Sequence, residues 1–203
     1  MYELRLVGKG KYGLMLASMI YLLMGMAHAQ LQRSCGTQDH MNSLMDAYPQ
    51  MQQNLRLIEN HSRMIAKGSF NAIQGDIRIP VVVHVVYNSS NQNISDAQIL
   101  SQIKVLNQDF QRRNPDRDQT PEIFQSVAAS PGIRFELAKK DPEGKPTTGI
   151  TRTQTRKAAF YTNTNGVKYA TMGGIDGWPS DQYLNICVCP LAMGVLGYAQ
   201  FPG

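Results

Sequence analysis

A chain of 203 residues, 42% apolar and 17% charged, is long enough for one buried core with a small appendage and too apolar to stay unfolded. Its net charge of +5 is not clustered: Arg112-Arg113 and Lys139-Lys140 are isolated pairs without interleaved aromatics, which argues against a nucleic-acid partner. Three cysteines, Cys35, Cys187 and Cys189, are an odd number, so a fully paired disulfide framework within the chain is excluded.

In chain order, residues 1–29 read as a secretory signal. Arg5, Lys9 and Lys11 form the basic start, Tyr12–Met26 the apolar stretch, and Ala27-His28-Ala29 a small-x-small cleavage site that would leave Gln30 first. The stretch is too short and wrongly flanked for a membrane span. Cys35 stands too far behind it, after Gln32-Arg33-Ser34, for a lipid anchor. The expectation is a secreted, extracellular chain with no stable membrane anchor after signal removal. Its compartment is then oxidising. Cys187 and Cys189, at i and i+2 of a strand, point to one face with Cα atoms roughly 7 Å apart, which is poor disulfide geometry. At least one thiol is therefore free or paired outside the chain.

Residues 39–67 read as helical, with Met41, Leu44, Met45 and Tyr48 on one face. Pro49 interrupts, Met51, Leu55, Ile58 and Ile65 resume the face, and Gly68 is the stop. Residues 30–75 are too few for a core of their own and must dock on something else or stay loose. Residues 77–87, IRIPVVVHVVY, predict a strand buried on both faces, with Pro80 early in it. A polar turn over 88–93 leads to a helix with Ser95 as N-cap, Gln98 closing a capping box and Ile94 and Ile99 as a staple. Ile99, Ile103, Leu106 and Phe110 are its buried stripe, and Asn114-Pro115 its end. Residues 133–140 and 150–155 predict two strands of a hairpin around a turn over 141–149. Residues 157–180 are irregular, 183–189 a strong strand and 197–201 a last short strand. The fold class is α/β (α+β), a mixed twisted sheet with a backing helix.

These residues carry no visible active site. His40, His61 and His84 show no i, i+4 pairing, and H-E-x-x-H, G-x-S-x-G and P-loop motifs are absent from the sequence. His84 reads as a satisfied core histidine. Asn60, Asn88 and Asn93 head glycosylation sequons.

The ordered set of motifs resembles the secreted pappalysin-type zinc metallopeptidases, a metzincin branch. Arg33-Ser34-Cys35-Gly36-Thr37 resembles their propeptide motif, 77–87 their first strand, 94–114 their first long helix, and 133–137 (IRFEL) their second strand. Gly174-Ile175-Asp176-Gly177-Trp178-Pro179 leading into Tyr183-Leu184-Asn185-Ile186 resembles the approach to the third strand, and 196–203 (LGYAQFPG) the strand bordering the substrate cleft. The resemblance implies a signal peptide at 1–29, a propeptide at 30–75, and the N-terminal part of a catalytic domain at 76–203. It implies a zinc endopeptidase acting on protein or peptide substrates through a zinc-bound water. Cys35 would be the latency ligand to zinc, a thiolate at about 2.3 Å in the position the water needs; a disulfide from Cys35 to Cys187 or Cys189, or a thiol without function, are the alternatives. Gly197, Tyr198, Ala199, Gln200 and Phe201 would be a cleft-edge strand that pairs antiparallel with substrate, against the alternative of an ordinary structural strand. Calcium is left open.

Two departures stand out. Cys187 replaces the family's usual Trp, and the H-E-x-x-H-x-x-G-x-x-H zinc helix has no counterpart in these residues. The chain is therefore expected to be either a partial sequence or a truncated product, inactive if made as written, with the 197–201 strand lacking a sheet neighbour. The competing expectation is a secreted binding or adhesion module, or a truncated pseudo-enzyme.

Overall fold

The computed structural model describes residues 33–68 and 75–201, and the predicted signal at 1–29 lies outside them. In chain order the elements are β1 (Ser34–Cys35), α1 (Thr37–Ala47), α2 (Pro49–Ala66), β2 (Ile77–Tyr87), α3 (Asp96–Phe110), α4 (Glu122–Gln125), β3 (Ile133–Leu137), β4 (Ile150–Gln154), β5 (Leu184–Val188) and β6 (Val195–Gly197). Ser34–Gly203 forms one compact unit, so the described residues 34–68 of the predicted propeptide belong to the same unit as the sheet.

β2 is the axis of the main sheet, as its apolar run requires. Val81–Val86 are all buried. Val81, Val83 and Val85 pack with Ile99 of α3 and Phe135 of β3. On the other face Val86 packs with Phe160 and Val167 of the irregular 157–180 segment. Pro80 precedes the β2–β5 ladder, which starts at Val81↔Leu184, so its missing N–H costs no sheet bond there. α3 starts as expected at Ser95, whose side chain accepts the Gln98 N–H at 3.2 Å. The expected box at Ser95 is only half made, because the Gln98 side chain does not reach back, and the full reciprocal capping box forms instead between Ser89 and Gln92 of the separate 3-10 turn Ser90–Gln92. Asn107 then fastens α3 to the outer edge of β3: its amide donates to the Phe135 carbonyl and accepts the Phe135 N–H, both at 2.8 Å. Arg152 ties β4 to the start of α3 through the Ile94 carbonyl at 2.8 Å, and through Asn93 and Asp96.

The expected hairpin of 133–140 with 150–155 is corrected. β3 and β4 both run parallel to β2, beside Ile77–Val81 and Val83–Tyr87 respectively. The bonds Ile77 N–H to Gly132 O, Ala138 N–H to Val81 O and Val83 N–H to Gly149 O all use odd-numbered β2 residues. Odd residues present their backbone groups to one edge, so β3 and β4 are one strand, interrupted, along that edge. The intervening residues loop out through a small ribbon bridged at Lys140↔Pro146 and capped by Asp141, whose carboxylate accepts the N–H groups of Glu143 and Lys145. β5 takes the other edge. All the named strand pairs among the described residues are parallel.

The N-terminal helix breaks at Tyr48, as Pro49 dictates, and Gly68 (φ +79°) stops α2. Its predicted apolar face is only partly buried: Met41 and Met51 are covered, while Tyr48, Ile58 and Ile65 face solvent.

Candidate functional site

The 34–37 segment approaches the chain near residue 196 through backbone bonds first. β1 pairs parallel with β6, with Ser34 N–H on Gly194 O at 3.2 Å and Gly36 N–H on Gly197 O at 2.9 Å. This corrects two expectations. The strand is Val195–Gly197 rather than 197–201, and it has a neighbour, β1. Beyond Gly36 the chain turns into α1 and leaves the direction of β6, and side chains take over the contact. Thr37 Oγ1 accepts the Ala199 N–H at 3.0 Å, and the Phe201 N–H reaches Met41 Sδ at 3.4 Å. Gly36 is small for a reason: a Cβ there would stand 3.1 Å from Val195 Cγ1 and 3.3 Å from Thr162 Cγ2. A Cβ here would require the Val195 and Thr162 side chains to give way by a few tenths of an ångström.

Cys35 is exposed and unpaired, with Sγ 3.3 Å from Thr37 Oγ1. Its pKa is lowered, first by the Thr37 hydroxyl and then by the Thr37 backbone N–H, because both bonds favour thiolate. The shift enlarges the share of thiolate, the form that binds soft metals. Cys187 and Cys189 are also free. They are half-buried against Val86, Phe160 and Val167, and burial pushes both thiols up, Cys189 to about 12. They help fill a core, and burial disfavours their thiolate forms.

His84 is the satisfied core histidine the sequence suggested. It is fully buried, with Nδ1 at 2.7 Å from Thr151 Oγ1 and Nε2 at 3.0 Å from Asn185 Oδ1. Its ring joins β4, β2 and β5, and Asn185 in turn clamps the Trp178 backbone at 2.8 and 2.9 Å. Sequence reasoning missed the contacts behind Cys35. His40 of α1 is buried edge-on to Tyr198, ring centroids 4.8 Å apart, and Lys168 lies 5.4 Å from the same ring. Thr37, His40, Met41 and Leu44 share helical spacing, and that was the available signal.

Among the described residues no group of three or more His, Cys, Asp or Glu side chains could hold a metal ion. Cys35, exposed and with its pKa lowered, fits one ligand position of a zinc ion, and the described residues supply no further ligand cluster there. No described helix is long and apolar enough to cross a membrane.

A parallel sheet backed by α3, with an N-terminal helical segment strapped to a short strand by a cysteine-bearing extension, is an α/β arrangement similar to that of promirolysin, a metzincin-type zinc metallopeptidase with a propeptide. The chain is similar to solved mirolysin structures. Against a mutant of Tannerella forsythia promirolysin it is 46% identical over 84% of this chain and 54% of that one, with TM-score 0.71. Against mature mirolysin from the same organism, in complex with a cleaved peptide, it is 53% identical over 64% and 48%, with TM-score 0.62. Mirolysin in complex with compound 9 gives 53% identity and TM-score 0.61. The chain spans about half the length of these structures. No family model and no curated protein matches.

Proposed function

We propose that this chain is the signal peptide (1–29), propeptide (30–75) and first part of the catalytic domain (76–203) of a secreted, pappalysin-type zinc endopeptidase, held latent by Cys35. The observation that carries this reading is the parallel β1–β6 pairing, which delivers an exposed, thiolate-favouring Cys35 to the strand read as the cleft edge. Coverage supports it. The share of this chain that is matched rises from 64% with mature mirolysin to 84% with promirolysin, a gain of the size of segment 34–75.

In this reading zinc, when bound, supplies a Lewis acid that lowers the pKa of a bound water to roughly 7. Cys35 would hold it through Sγ. The chain's own residues do the rest. Gly194 and Gly197 carbonyls and the Ala199 N–H are taken by the segment 34–37, so an extended peptide finds these groups occupied. The occupant runs parallel to β6. A substrate pairing antiparallel would run the other way, so the inhibitory segment presents its peptide bonds in reverse order and resists cleavage.

The test uses the protein from the complete reading frame containing this chain, with native Cys35 and with Cys35→Ala. The lag before cleavage of an internally quenched peptide should shorten at least tenfold in the variant. Identical lags would remove the latency role.

A further inference from the structure

His40 is 3% exposed, and its Nε2 is buried without a hydrogen-bond partner among the described residues. The groups around it come from several elements. Lys168, in the 3-10 turn 166–168, brings the nearest cation. Tyr198, just after β6, meets the ring edge-on, and its hydroxyl is buried and also without a partner. The Thr162 backbone makes a hydrogen bond to the imidazole. Cys187 and Cys189, from β5 and the residue after it, act on Lys168 and Tyr198. On α1 itself the acids are Asp39 and Asp46, both exposed. The ion pairs among the described residues all lie elsewhere.

A neutral imidazole fits this place and an imidazolium does not. The charged ring would be desolvated near Lys168, with no carboxylate among the described residues acting on it. The thiols offer no anion either, because burial keeps them protonated.

We propose that protonation of His40 releases the segment 34–47 from residues 194–201, so that mild acid opens the latent arrangement. Its regulatory meaning rests on the latency reading above; the docking equilibrium does not. The sign follows from linkage. A released histidine titrates near 6.5. Docked His40 is held below that, first by burial and then by Lys168, with the Thr162 bond offsetting part. The docked state therefore binds fewer protons. Docking is at full strength above about pH 6.5 and weakens by up to about tenfold for each unit below it, until the docked pKa is reached.

The experiment is amide hydrogen exchange on the full chain from pH 8 to 5, corrected for intrinsic rates. Protection across α1 should fall steeply below about pH 6.5, while α3 stays level. His40→Phe keeps the ring on Tyr198 without a titrating group and should give a flat α1 profile. A flat wild-type profile, or the same slope in His40→Phe, would overturn the proposal. Should His40→Phe fail to dock, the NMR titration of the His40 ring in the wild-type chain decides: a midpoint below about 6.5 supports it, and one at or above that value overturns it. Neither zinc nor substrate enters these measurements, so a negative result here leaves the Cys35 reading intact, and failure of the Cys35 test leaves this one standing.

Discussion

Removing one hydroxyl at the start of α1 tests whether the Cys35 segment is held by specific bonds. In Thr37→Val the side-chain shape is kept, but the acceptor of the Ala199 N–H (3.0 Å) and the partner of Cys35 Sγ (3.3 Å) are lost. A neutral hydrogen bond contributes about 1 kcal/mol net, so the fraction of time β1 spends off β6 should rise about fivefold. Exchange of the Gly36 amide, which bonds Gly197 O at 2.9 Å, reports that opening without being mutated itself. It should accelerate about fivefold, and the Ala199 amide, its partner deleted, by more. Thr37→Ser should restore both. Cys35 should meanwhile alkylate more slowly at neutral pH in Thr37→Val, because the hydroxyl no longer favours its thiolate. Unchanged Gly36 exchange in Thr37→Val would show that the hydroxyl contributes nothing to docking, and the reasoning from geometry would fail.

Gly149→Ala should destabilise the fold by about 3 kcal/mol in urea titration: a left-handed residue costs about 1–2 kcal/mol, and the new Cβ would stand 2.7 Å from Ala138 N, disturbing the bonds to Val81 and Val83. A loss under about 1 kcal/mol would contradict the interrupted β3–β4 strand. Cys189 titrates near 12 when folded against an ordinary 9.0. An acid with a raised folded pKa leaves the unfolded chain to ionise first, so stability should decline as pH rises above about 9. Cys189→Ala should show a shallower decline, and an equal slope in both proteins would refute the burial.

Much of the sheet was legible because its signals are local. The β2 run could only be a strand covered on both faces, Ser95 and Ile99 mark the start of α3, and a lone histidine among valines reads as a bonded core residue, which His84 is. β3 and β4 were found as strands but paired wrongly. Residues 141–146 do make a turn, capped by Asp141, and a turn between two strands looks like a hairpin; their true partner, β2, lies more than fifty residues earlier. The β1–β6 contact had no periodic signal, being a two-residue strand meeting a three-residue one across most of the chain. Family resemblance pointed to Cys35, but Thr37, His40, Lys168 and Tyr198 come together only in three dimensions. The exposure of Ile58 and Ile65 on α2 shows that an apolar stripe identifies a helix face without saying what covers it.

The most direct measurement of the central claim is X-ray absorption at the zinc edge on the latent form of the protein translated from the complete reading frame. A zinc shell with one sulfur at about 2.3 Å, lost in Cys35→Ser and on proteolytic activation, is the predicted result. A shell of nitrogen and oxygen alone in the latent wild-type protein would contradict it.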